Sequence, residues 1–113
     1  VQGRGEAAER VREDAVALAE AGAFCVLMEM VTTETARRVD EAVGAVPTIG
    51  IGASNVMTGQ VLVWQDMMGV RSGRVPRFVK QFAQVGQVME DAARAYREQV
   101  RSGEFPAAEY TFE

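Results

Sequence analysis

Several features of the chain carry residue types that could do chemistry, and the first of them is Glu29. It directly follows residues 24–28, a run that is apolar at every position and therefore predicts a strand covered on both faces. A carboxylate that closes such a strand would be partly removed from water and would be a better proton acceptor near neutral pH. Glu29 is therefore a candidate general base. The alternative is a loop glutamate that only marks the end of the strand.

Two glycines, Gly50 and Gly52, lie in the second predicted strand, residues 48–53. Glycines two positions apart on a strand share one face, so a ligand could approach the backbone closely there. The alternative is tight packing by a neighbouring side chain. The pattern is not a dinucleotide-binding fingerprint, because the third glycine and the following helix are both missing.

Two further candidates come later in the chain. Asp66 follows the third apolar run and could bind a metal or orient a neighbour, although a solvated loop aspartate fits equally well. Residues 71–74 hold two arginines and could bind an anion, although an exposed basic loop is the commoner case. Cys25 lies inside an apolar run, which favours a small buried hydrophobe over a reactive thiol.

Composition removes several classes of function. The 113 residues contain no histidine, which excludes His-based acid/base pairs, catalytic triads and Cys/His zinc sites within them. A single cysteine excludes an internal disulfide and fits a reducing cytoplasm. The net charge of -4 argues against a nucleic-acid partner. The longest apolar stretch, residues 23–28, is too short to span a membrane.

Hydrophobic periodicity supplies the elements that would position these residues. Helices are predicted over residues 6–22, 34–43, 76–82 and 87–101, and strands over 24–28, 48–53 and 60–64. Thr32 or Thr33 would cap the second helix, whose inner stripe would be Ala36, Val39 and Val43. Helices that alternate with buried strands are typical of a parallel α/β protein.

One connection does not fit this pattern easily. The stretch from residue 53 to residue 60 is shorter than a parallel crossover normally requires. Either the crossover helix is about one turn long, or residues 60–66 are themselves helical. We expect the first, because Val61, Leu62 and Val63 favour a strand and Gly59 disfavours a helix.

Three strands cannot complete a parallel sheet, because each outer strand would leave a row of backbone groups unpaired. The chain also begins at Val1 rather than at a methionine. We therefore expect residues 1–113 to be a single partial domain of a larger α/β barrel or open sheet. In such a barrel, functional groups gather at the carboxyl ends of the strands.

Five segments, spread collinearly over nearly the whole chain, resemble the ketopantoate hydroxymethyltransferase family. They are residues 1–4, 29–31, 49–53, 59–66 and 77–80, and the tail 105–112 is similar to the end of that family's sequences. The resemblance implies the C-terminal part of a (βα)8 TIM barrel, with strands six to eight followed by C-terminal helices. The N-terminal part of the barrel would be absent.

The resemblance also implies an activity. The family transfers a hydroxymethyl group from methylenetetrahydrofolate to the small keto acid α-ketoisovalerate, which gives ketopantoate for pantothenate and coenzyme A synthesis. A magnesium ion chelates the keto acid, a base forms an enolate, and Glu29 occupies the position of the family's active-site glutamate. A cytoplasmic location and a large homo-oligomer, commonly a decamer, are implied, with no nucleic-acid or membrane partner.

The family's metal-binding carboxylates and substrate-binding lysine lie in the part absent here. We therefore expect no metal site in this segment and no activity from the segment alone. Five positions, Thr32, Ser54, Thr58, Gln65 and Tyr110, depart from the family pattern. The alternatives are a non-catalytic barrel paralogue that serves assembly or small-acid binding, and an independent α/β binding module.

Overall fold

The computed structural model describes residues 1–112, which fall into two compact units. The first unit is Val1–Leu62 and the second is Val63–Glu113, of which residue 113 is not described.

The first unit is an α/β structure with a small parallel sheet. Its helices are α1 (Ala7–Glu20) and α2 (Thr33–Val43), and its strands are β1 (Val26–Glu29), β2 (Thr48–Ile51) and β3 (Gly59–Gln60). The three strands lie in the order β1-β2-β3, and both neighbouring pairs are parallel. This arrangement is consistent with a section of a TIM barrel, in which consecutive strands are parallel neighbours.

Helix α2 matches its prediction closely. The Thr32 side chain accepts a hydrogen bond from the Thr35 N–H and caps the helix, while Gly44 ends it with a φ of 62°. The predicted inner stripe of Ala36, Val39 and Val43 is buried. It joins α1 and β1 in one hydrophobic core, whose buried members are Ala15, Val26, Met28, Val31, Ala36, Val39, Val43 and Met57.

Strand β1 differs from its prediction in place and in burial. It begins two residues later than expected, and Phe24 lies outside it with 92% of its surface exposed. Alternate residues are buried, so Val26 and Met28 enter the core while Leu27 stays exposed. The expectation that both faces are covered was therefore wrong for these residues, because helices cover only one face of the sheet here.

The connection between β2 and β3 contains no helix, so the expected one-turn crossover helix was wrong. Side-chain hydrogen bonds satisfy the backbone of this loop instead. The Gln60 amide donates to the Ser54 carbonyl at 2.7 Å. The Thr48 N–H donates a hydrogen bond to the Thr58 hydroxyl oxygen, and the Thr58 N–H donates one to the Thr48 hydroxyl oxygen, each at 3.2 Å.

The predicted third strand is also shorter and earlier than expected. Only Gly59 and Gln60 form β3, and the Val61 N–H extends the ladder by one bond to the Gly50 carbonyl. Helix α3 (Trp64–Met67) follows, because the Val63 carbonyl accepts from the Asp66 and Met67 N–H groups and turns the chain. Of the two alternatives, the expected one-turn crossover helix is absent, and residues 60–66 are helical only from Trp64 onward.

The second unit contains α3, the long helix α4 (Val85–Ser102) and a 3-10 helix, Ala108–Tyr110. Helix α4 extends its predicted range by two residues at the start and one at the end, and Gly103 follows it in the left-handed conformation. The structure describes every residue of α4, and none of them is buried.

The helix predicted from Pro76 to Phe82 does not form. Only one turn is present, in which the Val79 N–H donates to the Pro76 carbonyl. A helix would direct the Phe82 N–H to Phe78, but it donates to the Met67 carbonyl at 2.8 Å instead. A tertiary backbone contact therefore replaces the local one.

Candidate active site

The candidate site lies on the face of the sheet that α1 and α2 leave uncovered. Side chains alternate between the two faces of a strand, and Val26 and Met28 occupy the helix-covered face. Leu27 and Glu29 therefore belong to the uncovered face. Their partners in the parallel register are Ile49 and Ile51, respectively.

Glu29 is the last residue of β1 rather than the first residue after it. Its side chain is at the carboxyl end of the sheet, next to Ile51 of β2, and it is exposed. We expected this carboxylate to be partly removed from water, but the described residues leave it exposed. The apolar neighbours expected around it are present on one side only, as Leu27 and the register partner Ile51.

The peptide that follows Glu29 is fixed from two sides. The Met30 N–H donates to the Ile51 carbonyl at 2.9 Å, and the Met30 carbonyl accepts from the Gln2 N–H at 2.6 Å. Met30 has a φ of 52°, and it is the one non-glycine residue with a positive φ among residues 1–112. Such a conformation is uncommon for a side chain of this size.

Gln2 is a part of this edge that the sequence prediction missed. It forms an isolated parallel bridge with Val31, and the Thr32 N–H donates to the Gln2 carbonyl at 3.2 Å. Gln2 thus bonds to the segment that follows β1 in the way that the end of a neighbouring parallel strand would. The signal that could have found it is the apolar-polar pair Val1-Gln2 directly before a glycine and a helix.

The two glycine candidates do not share a strand face, which corrects that expectation. Gly50 lies in β2 on the helix-covered face, and Gly52 lies beyond the end of β2 with a φ of 59°. A Cβ atom on Gly50 would lie 2.8 Å from the Met57 sulfur and 3.2 Å from the Gln60 Oε1. Gly50 therefore makes room for packing within the protein, and a ligand role for Gly50 and Gly52 stays a prediction.

Asp66 was expected at the end of a strand, but it lies in α3. Its side chain is buried, and the Arg71 Nη1 approaches its Oδ1 at 3.4 Å. Arg71 therefore neutralises Asp66, and this arginine of the 71–74 loop is engaged within its own unit. Cys25, expected to be buried, is half-buried.

Four of the five departures from the family pattern have side chains with local structural contacts, and Gln65 contributes only its backbone carbonyl. Thr32 caps α2, and Thr58 binds the buried Thr48 as described above. The Ser54 hydroxyl oxygen accepts from the Val56 N–H at 3.4 Å. The remaining two lie in the second unit: the Gln65 carbonyl accepts from the Val70 N–H at 2.9 Å, and the Tyr110 ring lies 5.7 Å from that of Phe105.

In the first turn of α1, the hydrogen bond from Arg12 holds the pKa of the Glu9 carboxyl below its usual value, and the positive charges of Arg12 and Arg38 add to this. Arg38 of α2 reaches Glu9 at 2.8 Å, so the ion pair links the two helices.

Among residues 1–112, there is no group of three or more histidine, cysteine, aspartate or glutamate side chains that could hold a metal ion. By themselves these residues do not fit a magnesium site, because no three such side chains lie together and the buried Asp66 is paired with Arg71. None of the described helices is both long enough and apolar enough to cross a membrane.

Comparison with known proteins identifies the family of the chain. The family model of ketopantoate hydroxymethyltransferase matches residues 1–108. The chain is 60% identical over 112 residues to the 3-methyl-2-oxobutanoate hydroxymethyltransferase of Arthrobacter sp. (strain FB24), which covers 99% of this chain and 37% of that protein. It is 56% identical to the protein of the same name from Nocardioides sp. (strain ATCC BAA-499 / JS614), with 99% of this chain and 38% of that protein covered.

A third relative of that name, from Mycobacterium marinum (strain ATCC BAA-535 / M), is 54% identical over 99% of this chain and 37% of its own length. The chain thus spans less than two-fifths of the length of these curated relatives. These matches do not confirm the expected placement in the C-terminal part of the barrel, and that placement stays a prediction. The chain belongs to the ketopantoate hydroxymethyltransferase family.

Proposed function

We propose that the protein to which this segment belongs transfers a hydroxymethyl group from methylenetetrahydrofolate to 3-methyl-2-oxobutanoate (α-ketoisovalerate), and that Glu29 accepts the proton in this reaction. The product would be ketopantoate, a precursor of pantothenate. Family membership supports the reaction class. The single observation that carries the role of Glu29 is its position on the uncovered face, at the carboxyl end of β1.

The chemistry requires a base at such a position. The carbon next to the keto group loses a proton to the Glu29 carboxylate, and the electrons of that C–H bond form an enolate. The one-carbon unit is a methylene group bonded to two folate nitrogens. One of these C–N bonds breaks as the enolate carbon bonds to the methylene carbon, and the oxygen of one water molecule replaces the second C–N bond to give the hydroxymethyl group. The proton taken from the keto acid and the proton released by the water end on the two folate nitrogens, which gives tetrahydrofolate. A positioned carboxylate typically accelerates such a proton transfer by about 10²- to 10⁴-fold.

The neighbours of Glu29 suit this role on the side that the structure describes. Leu27 and Ile51 are apolar and lie on the same uncovered face, one along β1 and one beside it on β2. They would keep water away from one side of the reacting carbon when the rest of the barrel covers this face. Arg71 and Asp66 pair with each other and take no part in the proposal.

Further properties rest on the family resemblance and stay predictions. They are magnesium dependence, inactivity of the segment alone, assembly into a large homo-oligomer, a cytoplasmic location, and the place of the segment as barrel strands six to eight. Because the described residues do not fit a magnesium site, the role given to Glu29 is proton transfer alone. The metal would be held by other parts of the longer protein.

The test uses the full-length protein that contains this segment. We expect it to convert the keto acid to ketopantoate in a folate-dependent reaction, and we expect Glu29→Gln to lower kcat by about 100-fold or more. Glu41→Gln is the matched control, because Glu41 is an exposed glutamate of α2. It should leave kcat unchanged.

Two outcomes would contradict the proposal. Unchanged turnover in Glu29→Gln would remove the role of this residue while keeping the reaction. A full-length protein that binds the keto acid without turnover would instead support the alternative of a non-catalytic barrel that binds small acids.

A further inference from the structure

The loop that joins β1 to α2 is held in an unusual way, and this affects the residue that precedes it. Met30 immediately follows Glu29 and adopts a left-handed conformation with a φ of 52°. Left-handed non-glycine residues persist only where the surroundings enforce them, and they are frequent at functional sites. The contacts that enforce this one can be followed residue by residue.

The first part of the restraint acts on the Met30 peptide groups. Its N–H donates to Ile51 of β2 at 2.9 Å, and its carbonyl accepts from Gln2 on the opposite side at 2.6 Å. Met30 is thus bonded to chain segments on both sides of β1. A shift of Gln2 would therefore act on the Met30 carbonyl, which belongs to the residue directly after Glu29.

The second part fixes Gln2 through its neighbour Gly3. The Gly3 carbonyl accepts hydrogen bonds from the Thr35 hydroxyl at 2.7 Å and from the Thr32 hydroxyl at 3.1 Å. Thr35 is buried, with 1% of its surface exposed. A Cβ atom on Gly3 would lie 2.8 Å from the Thr35 Cγ2, so the two residues are as close as a glycine permits.

We propose that Thr35 is a positioning residue for Glu29, which it holds in place through Gly3, Gln2 and the left-handed Met30. The inference rests on the proposed function of Glu29. It adds that the first turn of α2, which carries no catalytic group, fixes the geometry of the candidate base through the hydrogen bond from the Thr35 hydroxyl to the Gly3 carbonyl and the backbone bond from Gln2 to Met30. Threonine provides the required combination at position 35, since its hydroxyl reaches Gly3 while its methyl group packs against it.

The test compares Thr35→Val with Thr33→Val in the full-length protein. Valine keeps the branched shape of threonine and replaces the hydroxyl with a methyl group that forms no hydrogen bond. Thr33 is the exposed neighbour in the same helical turn. We expect Thr35→Val to lower kcat by about 10- to 100-fold with a KM for the keto acid within about twofold of the original, because displaced reacting groups slow the chemical step. Thr33→Val should change neither, and Thr35→Ser should restore most of kcat.

A second variant separates positioning from stability. Met30→Gly keeps both backbone hydrogen bonds but removes the penalty of a left-handed side chain, so the protein should unfold at the same temperature or higher. If the restraint on Met30 orients Glu29, kcat should still fall, because glycine allows the loop more freedom. This variant gives an answer even if Thr35→Val does not fold.

The possible results decide between the two proposals. An unmodified protein without turnover overturns the proposed function and this inference with it. An active protein in which a folded Thr35→Val or Met30→Gly keeps its full kcat overturns the inference alone. A parallel loss of kcat in Thr33→Val would also overturn it, because the effect would then not depend on the bond to Gly3.

Discussion

The helices α2 and α4 show how differently two similar sequence patterns are used in the two units. Both are amphipathic, and each has an apolar stripe at helical spacing. The stripe of α2 is buried in the core of the first unit, where Ala36 and Val39 have 0% of their surface exposed. On α4, by contrast, Met89 is 58% exposed and Tyr96 is 61% exposed.

The two helices are also held by different kinds of contact. In the first unit, apolar side chains of α1, α2, β1 and the loop before β3 form one cluster. In the second unit, backbone groups hold the start of α4: the Val85 and Gly86 N–H groups donate to the Met68 and Gly69 carbonyls at 3.0 and 2.9 Å. The comparison shows that an amphipathic pattern marks the face that favours burial without fixing what covers it.

The largest expected effect comes from breaking the backbone contact of the second unit. In Gly69→Ala the new Cβ atom would lie 2.2 Å from the Ala83 carbonyl oxygen, at a position with a φ of 65°. We expect the free energy of unfolding to fall by about 3 kcal/mol, from steric overlap and the left-handed backbone together. Urea denaturation followed by circular dichroism measures it.

Gly73→Ala is the control for this prediction, since Gly73 also has a positive φ but nothing lies within 4 Å of its added Cβ. It should cost about 1 kcal/mol, the penalty of the left-handed conformation alone. Equal losses in the two variants would mean that the close approach of Gly69 to Ala83 does not stabilise this unit.

The next largest effect compares the two apolar stripes directly. Val39→Ala removes two methyl groups from a fully buried site, and we expect it to cost about 2 kcal/mol. Val100→Ala makes the same change on the exposed stripe of α4 and should cost less than about 0.5 kcal/mol in the 113-residue chain. Urea denaturation measures both free energies of unfolding. If the two variants lost similar amounts, the claim that only the stripe of α2 is buried would be contradicted.

The smallest effect concerns the ion pair between α1 and α2 in the first unit. The hydrogen bond from Arg12 holds the pKa of Glu9 below its ordinary value of 4.5. A carboxyl whose pKa is lower in the folded state stabilises the protein above the pKa of the unfolded chain, and this stabilisation is lost as the pH falls through the folded value. Acidification below about pH 4.5 should therefore cost the unmodified chain more stability than Glu9→Gln.

Thermal unfolding at pH 7 and at pH 3 measures this difference. Glu20→Gln, at the exposed end of the same helix, is the control and should follow the unmodified chain. The contribution of an exposed ion pair is small and is weakened by salt. A Glu9→Gln variant that loses as much stability on acidification as the unmodified chain would show that this ion pair contributes nothing.

Local patterns were enough to predict the helices that carry their own signals. Helix α2 has a threonine cap, an unbroken stripe and a terminating glycine, and its structure agrees with each of them. Helix α4 agrees within two residues for the same reason. The residues 76–82 have a proline start but no such stripe, and the bond from Phe82 to the Met67 carbonyl decides their conformation.

The strands and the candidate site were predicted less well, because their features depend on residues far apart in the sequence. The end of β3 at Gln60 depends on the turn into α3, and the packing role of Gly50 depends on Met57 and Gln60. Glu29 could be placed at a strand end from its own neighbours. Gln2, which bonds to the carbonyl of Met30, has only the two-residue Val1-Gln2 pair as a local signal and was missed.

The sequence by itself determined the family, the alternation of helices with parallel strands, and the placement of Glu29 at a strand end, because these depend on residue types and short-range periodicity. Only the tertiary structure decided which face of the sheet Glu29 occupies and what holds it there. The pleat assigns each strand residue a face only once register and helix packing are known. The bonds from Thr35 to Gly3 and from Gln2 to Met30 join residues about 30 positions apart, a separation that no local pattern encodes.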